Sequence, residues 1–382
     1  MTESPSSGGP VAVDLFCGAG GASCGIHAAG FDVVAAVDQD EHALETHAVN
    51  FDGATVSHDL GRVDVRELPE AARDPVYVHG SPPCKGFSMA ANNARDPDDP
   101  RNSLVFRFID WVAALDPEVV TMENVPGMTS ISPHFMDGVV GAFRVDGYTA
   151  KWRELNVADF GVPQTRHRVI TIAVRDDIEH PDRWFPRPTH AQTSTTTLDG
   201  HHLDPWVTVD EAIGDLSKTR GDGKNASVVF TRGVESDQLN GDVNARTSDE
   251  PAPTVVADGP HKITDSGENC SSDSKIANHD PKPMKPTTAK RGHQTDDEPA
   301  NTVLASRNES RFIDVDGDIR MLTVRECARL QSFPDWFVFM GNRTSQYRQV
   351  GNAVPPLLQY HIADNLREHL ESIGVIDHGG DV

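Results

Sequence analysis

The chain is predicted to fold as a doubly wound α/β protein with a mostly parallel sheet, and three observations carry that expectation. From Val11 to Val174, short β-branched runs alternate with amphipathic stretches, the pattern of strands joined by crossover helices. The first run is followed by a glycine-rich turn, Phe16-Cys17-Gly18-Ala19-Gly20-Gly21, which opens a helix. Glycines there let backbone amides approach a ligand closely. The second run ends in a carboxylate, Asp38, at the position from which ribose hydroxyls are held in sheets of this kind.

Strands are predicted over residues 11–16, 33–37, 76–79, 119–122 and 169–174. Helices are predicted over 22–29, 41–50, 103–115 and 134–145. A ligand in such a sheet sits beyond the carboxyl ends of the strands. From about residue 181 the texture changes to Pro, Gly, Asp, Ser and Thr, and helical periodicity fades until about 318. That segment reads as a loop-rich domain or as partly disordered chain. It holds a weak repeat, residues 249–255 (DEPAPTV) against 297–303 (DEPANTV), which points to a module containing strands; chance similarity in a biased composition is the plain alternative. Order returns at Leu322. Thr323 and Glu326 stand at capping-box spacing, and a last helix is predicted over 356–371 with proline at its start. The expected organisation is a tail over 1–10, a first, ligand-binding α/β domain over 11–180, and a second, loop- and strand-rich domain over 185–318. Hinge helices over 319–345 and a return to the first domain over 346–382 complete it.

Composition excludes several classes. No apolar run approaches membrane-spanning length. The opening residues lack the basic and apolar regions of a secretory signal, so a cytoplasmic protein is expected. Five cysteines (17, 24, 84, 270 and 327) form no CxxC pair, which argues against a disulfide framework and structural zinc. The seventeen histidines form no metal-type cluster, so no metal is expected. The net charge is −24, from 58 acidic and 34 basic residues. That balance opposes a nucleic-acid partner, because phosphate binding rests on Lys and Arg. It also fits a protein adapted to a very salty cytoplasm, where long-range charge is screened. Seven of nine lysines lie between residues 181 and 320, and Arg325, Arg329, Arg343 and Arg348 follow, so one face is left for a polyanion. Arg325 and Arg329 are the candidate DNA contacts in that stretch.

Two strand ends carry the chemistry. One delivers Ser81-Pro82-Pro83-Cys84 and the other Glu123-Asn124-Val125. Neighbouring parallel strands would set Cys84 and Glu123 at one sheet edge, facing one pocket. A lone cysteine is more often a small buried hydrophobe than a nucleophile. Beside a carboxylic acid and a nucleoside-shaped pocket, however, a thiolate suits attack on an electron-poor ring carbon while the acid engages a ring nitrogen. No histidine base stands at a position that would suit hydrolysis.

These residues resemble the cytosine-5 DNA methyltransferases of the bacterial and archaeal type. The matching stretches, in that family's order, are DLFCGAGGASCGIHAAGF (14–31), GSPPCKGFS (80–88), MENVPGM (122–128), QTRHRV (164–169), LTVRECARLQSFP (322–334) and QVGNAVPP (349–356). The resemblance implies S-adenosyl-L-methionine as cofactor, lined by Phe16, Gly18, Gly20, Gly21 and Pro82. Asp38 would hold the ribose hydroxyls and Asp59 the adenine amine, and Asn352 and Ala353 would return to close the pocket. It implies Cys84 as the nucleophile at carbon 6 of a flipped-out cytosine, and Glu123 at ring nitrogen 3 and the exocyclic amine. Arg166 and Arg168 would support the base and the acid, and Ser88 would meet DNA. The implied substrate is double-stranded DNA. A monomeric enzyme is expected, with a cognate restriction endonuclease as functional partner. Gln39 departs from the family, where an aromatic or aliphatic side chain often stacks on adenine, and Ala353 replaces a serine found in some members. Three rivals are an RNA cytosine-5 methyltransferase, a non-catalytic DNA-binding paralogue and an oxidoreductase. The long insertion opposes the first, the intact Cys84, Glu123, Arg166 and Arg168 the second, and the absent GxGxxG spacing the third.

Overall fold

The computed structural model describes residues 8–83, 103–130, 134–218, 228–232, 244–246, 252–253, 309–315 and 318–377. Cys84, Ser88, Cys270 and the repeat half at 297–303 lie outside the described residues. The chain begins with β1 (Val11–Leu15), α1 (Gly21–Ala28), β2 (Asp32–Asp38), α2 (Glu41–Asn50), β3 (Ala54–Ser57) and β4 (Tyr77–Gly80). It continues with α3 (Ser103–Leu115), β5 (Val119–Asn124), α4 (Gly127–Ser130), α5 (Phe135–Val145), β6 (Tyr148–Asn156), β7 (Gln164–Thr165) and β8 (His167–Arg175).

Seven strands form one sheet in the order β3-β2-β1-β4-β5-β8-β6. The pairings from β3 through β5 are parallel. β8 runs antiparallel to β5, and β6 antiparallel to β8. The expected doubly wound, mostly parallel sheet is therefore what forms. Sequence patterning missed two of its strands, both at edges. β3 is four residues long and none of them is buried. β6 exposes Lys151, Trp152, Arg153 and Glu154 in succession, so it lacks the apolar alternation by which strands are recognised.

The period of two divides the sheet's side chains between two cores. Val13, Leu15, Val78, Val120 and Met122 meet Phe108, Trp111 and Phe143 of α3 and α5. Ala12, Val33, Tyr77, Val119, Ile170 and Ile172 meet Ile26 of α1 and Leu358, Ile362 and Leu366 from the end of the chain. Those last residues belong to α9 (Pro356–Ser372), which the Pro356 start predicted to within one residue. Seven of the 24 buried residues of the second core thus come from the chain's return. α1 and α9 approach closely: a Cβ on Gly25 would stand 2.3 Å from Pro356 O and 2.6 Å from Tyr360 N. Gln359 Nε2 donates to Tyr77 Oη (2.6 Å), which lies 2.6 Å from Thr121 Oγ1, itself 2.8 Å from His79 Nδ1. This buried network ties α9 to the middle of the sheet.

Between the two parts of that core, α6 (Val209–Lys218) precedes α7 (Val324–Leu330) and α8 (Arg343–Asn352). α6 corrects the expectation that helical periodicity is lost from 181 to 318. Val209 and Ile213 are buried in a cluster with Leu330, Phe333, Phe337 and Phe339. Thr208 and Glu211 form reciprocal capping bonds at its start, a signal that the acidic composition obscured. The capping box predicted for Thr323 and Glu326 is present in α7. Short strands fill the same region. β9 (His190–Ala191), β10 (Thr195–Thr196) and β11 (His202–Pro205) form one small sheet. β12 (Val228–Arg232), β13 (Asn244–Arg246), β15 (Glu309–Val315) and β16 (Asp318–Met321) form another, in the order β13-β12-β15-β16. β14 (Ala252–Pro253), within the first copy of the repeat, pairs with β7.

Candidate active site

The carboxyl edge of β1, β4 and β5 gathers the predicted residues from four stretches of chain. After β1 the backbone reverses through positive φ at Phe16 (57°), Gly18 (52°) and Gly20 (92°). The glycines adopt this region freely, whereas a phenylalanine there is held by its surroundings. Ser81 supplies part of that hold: its N–H donates to Leu15 O (3.3 Å) and its Oγ to Phe16 O (3.0 Å). A Cβ on Gly18 would meet nothing within 4 Å, so the turn faces open space. A Cβ on Gly21 would stand 2.4 Å from Val354 O and 3.0 Å from the Ala353 Cβ. The return segment therefore lies against the glycine turn, with Ala353 buried and Asn352 exposed.

Asp38, at the end of β2, accepts from the Gly18 N–H at Oδ2 (2.9 Å) and from Gln39 and Asp40 N–H at Oδ1 (2.7 and 2.9 Å). One carboxylate thereby joins the first turn to the second. Asp59 follows β3, is exposed, and accepts the Gly61 N–H at Oδ1 (3.0 Å). Asp14 lies beneath the glycine turn, fully buried, and accepts from Ser23 Oγ at 2.5 Å. His47 Nε2 meets the same hydroxyl at 2.9 Å. Burial pushes the Asp14 carboxyl up to about 7. Sequence reading assigned Asp14 no part in the site, since a polar residue within a strand run carries no sign of the hydroxyl it will meet.

β4 leads to Pro82-Pro83, the residues that deliver Cys84. Pro82 is buried, and its carbonyl accepts from Asn124 Nδ2 (3.0 Å) at the end of the adjacent strand β5. Asn124 Oδ1 in turn accepts the Val125 N–H (2.9 Å). The backbone entering the cysteine is thus pinned from the strand that carries Glu123. Glu123 Oε1 lies 2.6 Å from Arg168 Nε, and both side chains are about nine-tenths buried (10% and 12% exposed). Arg168 Nη1 also donates to His167 O (2.7 Å). Of the other cysteines, Cys17, Cys24 and Cys327 are buried. Burial pushes the Cys24 thiol up to about 12 and the Cys17 thiol well above its ordinary value. Neither is a thiolate near neutrality, so neither competes for the nucleophile's role.

Arg166 is also fully buried, but it serves the chain's return: Nη1 and Nη2 donate to Gly351 O (3.1 and 3.2 Å), and Nη2 to Ala353 O (3.3 Å). Gln331 Nε2 donates to Val350 O and Ala353 O, and Gln164 Nε2 to Leu330 O. These glutamines belong to recognised stretches yet carried no expected role. Their function is to seat residues 350–353 beside the cofactor turn. Arg325 and Arg329, the candidate DNA contacts, use their donors within the protein. Arg325 donates to Pro334 O and Phe337 O, and Arg329 pairs with Asp335 (2.6 Å) and Asp215 (2.5 Å). A phosphate would have to displace those bonds. Among the described residues, no group of three His, Cys, Asp or Glu is placed to hold a metal.

The profile of the C-5 cytosine-specific DNA methylases matches residues 11–368. The chain belongs to this family. Among curated members, the type II methyltransferase M.XorII of Xanthomonas oryzae is 33% identical, over 94% of this chain and 85% of its own length. M.MthTI of Methanothermobacter thermautotrophicus is 30% identical, over 94% of this chain and 97% of its own. Among solved structures, S. pombe Dnmt2 methyltransferase superposes with a TM-score of 0.57 at 15% identity, covering 94% of this chain and 99% of its own, a likeness of fold. This methylase is therefore a methyltransferase of cytosine in DNA, built on the family's Rossmann-like sheet.

Proposed function

We propose that this methylase transfers a methyl group from S-adenosyl-L-methionine to carbon 5 of a cytosine flipped out of duplex DNA, through a covalent bond between Cys84 and carbon 6. The observation that carries the proposal is the Glu123–Arg168 pair on the strand beside the pinned Pro82-Pro83 entry to Cys84. The residues present fit the cofactor: the glycine turn faces open space at Gly18, Asp38 stands at the end of β2, and Ala353 closes against Gly21. Phe16, Gly18, Gly20, Gly21, Pro82, Asn352 and Ala353 would line it, Asp38 would take the ribose hydroxyls and Asp59 the adenine amine. When bound, the cofactor supplies an electrophilic methyl group on a sulfonium.

The protein's own part is as follows. The Cys84 thiolate forms a bond to carbon 6 while Glu123, oriented by Arg168, hydrogen-bonds ring nitrogen 3 and the exocyclic amine. The ring's electron pair moves to carbon 5, which becomes nucleophilic. Once carbon 5 carries the methyl group, whose departure would leave the cofactor as a neutral thioether, that carbon loses its proton to water. The electron pair left behind re-forms the ring double bond, the carbon–sulfur bond breaks and the thiolate is restored. The base must leave the duplex first, at a cost of roughly a few kcal/mol. Ser88 would meet DNA near the flipped base. In this reading residues 11–180 and 346–382 hold the cofactor and the base, and residues 185–318 would read the target.

The type II relatives support a modification enzyme acting beside a cognate endonuclease; we read it as a cytoplasmic monomer. The −24 charge supports a salt-adapted protein. The test is transfer of labelled methyl from S-adenosyl-L-methionine to unmethylated duplex DNA in molar KCl, followed by base analysis. Label at carbon 5 of cytosine in one sequence context is expected. Label on RNA and none on DNA would replace the reading with that of an RNA methylase.

A further inference from the structure

We propose that His58 is a positioning residue for cofactor recognition, fixing the turn of residues 59–62 so that Asp59 meets the adenine amine. The proposal rests on the adenine role assigned to Asp59 above. Asp59 is exposed and stands on a turn beyond the short edge strand β3, where a carboxylate left to itself would sample many directions. The residue before it is buried. The His58 side chain is 6% exposed, and both ring nitrogens are engaged: Nδ1 lies 2.5 Å from Glu67 Oε2, and Nε2 lies 2.9 Å from Arg62 O. The ring meets Trp111 edge-on at 5.6 Å, and Trp111 Nε1 donates to Leu60 O (3.2 Å).

The turn is therefore held at two of its carbonyls, Leu60 and Arg62, by side chains rooted in the core. The Arg62 N–H donates back to Asp59 O (2.9 Å), and the Gly61 N–H to Asp59 Oδ1 (3.0 Å). With those bonds made, the Asp59 carboxylate has one direction. The His58 N–H also donates to Asp38 O (3.1 Å). One residue thus sets the spacing between the acid assigned to the ribose and the acid assigned to the base. Gln39 gives this arrangement its importance, because a stacking side chain is missing there and recognition of the base falls more heavily on the polar contact.

A histidine that merely filled the core would affect every cofactor equally. The test compares dissociation constants of S-adenosylhomocysteine and S-inosylhomocysteine, which differ at the amine that Asp59 is assigned to read. Wild type should prefer the adenosyl compound by about tenfold or more, the worth of one charge-assisted hydrogen bond. His58→Ala should bring the two within about twofold by weakening only the adenosyl compound, and Glu67→Gln should fall between. His58→Phe, which keeps a ring against Trp111 and removes both hydrogen bonds, gives the same reading if the alanine variant fails to fold. Equal weakening of both compounds, or a preference kept in full, would overturn the role of His58 and leave Asp59 in place. No preference in wild type would overturn the adenine reading of Asp59, and the proposal with it.

Discussion

Glu123→Gln is expected to lower the rate constant for methyl transfer by roughly two to four orders of magnitude at saturating cofactor and DNA. Glutamine keeps the volume and can still accept from the cytosine amine, but it cannot supply a proton to ring nitrogen 3. Without that proton, negative charge builds on the ring as the thiolate attacks. The substitution also leaves Arg168, 12% exposed, facing a neutral amide in place of the carboxylate 2.6 Å away, which adds a stability cost of about 3 kcal/mol. Single-turnover rates on fully folded protein, checked by circular dichroism, separate the two effects. A rate within threefold of wild type would show that Glu123 is not the group that engages the ring.

How far this site was legible in the sequence varies residue by residue. Asp38 and Glu123 lie at the carboxyl ends of β2 and β5 and Gly18 and Gly20 in the turn after β1, so strand order brings them to one sheet edge; Arg168, at the start of antiparallel β8, was assigned through resemblance. Ala353 was assigned to the cofactor pocket through resemblance, and the close approach of Gly21 to residues 353–354 gives that assignment a physical basis. Arg166 was expected at the base and acid, yet it reaches the carbonyls of residues 351 and 353, almost two hundred residues away in the chain. No local pattern reveals such a partner. Arg325 and Arg329 read as basic residues kept for a polyanion. Arg329 instead pairs with Asp335 and with Asp215 on α6, more than a hundred residues earlier, and Arg325 donates to backbone carbonyls, partners that a count of charges does not reveal. β3 and β6 were missed because short, charged edge strands bury too little apolar surface to leave a periodic trace. α6 is amphipathic, with Val209 and Ile213 buried, and was passed over because it lies in a stretch rich in Pro, Gly and Asp.

Acidification from pH 7 to pH 5 is expected to destabilise the protein by about 3 kcal/mol, through groups buried around the sheet. Burial lowers His79 and His47 to about 3 and His27 to about 4. For these groups the unfolded chain binds more protons between their folded values and about 6.5. Their stability is whole above that point and is lost as pH falls. At pH 5 each histidine has surrendered about 2 kcal/mol. Asp14 acts in the opposite sense. Its carboxyl is raised to about 7 from 3.8, so the folded state binds more protons between those values and gains roughly 2 kcal/mol or a little more over the same fall in pH. The Asp14 gain thus offsets about two fifths of the histidine loss. Urea unfolding at the two pH values in constant KCl measures the difference. His79→Asn should remove about 2 kcal/mol of the dependence, and a wild type equally stable at both would refute the assignment of these groups as buried and neutral.

The covalent step at Cys84 is the centre of the account, and trapping it is the most direct measurement. Duplex DNA carrying 5-fluorocytosine at the target position blocks the final proton loss from carbon 5, so the bond between sulfur and carbon 6 cannot break. With S-adenosyl-L-methionine present, the wild-type protein should form a complex with this DNA that survives denaturing electrophoresis. Peptide mapping should place the modified base on Cys84, and Cys84→Ser should give no complex while still binding the duplex. A complex mapped to any other cysteine, or methyl transfer undiminished in Cys84→Ser, would contradict it.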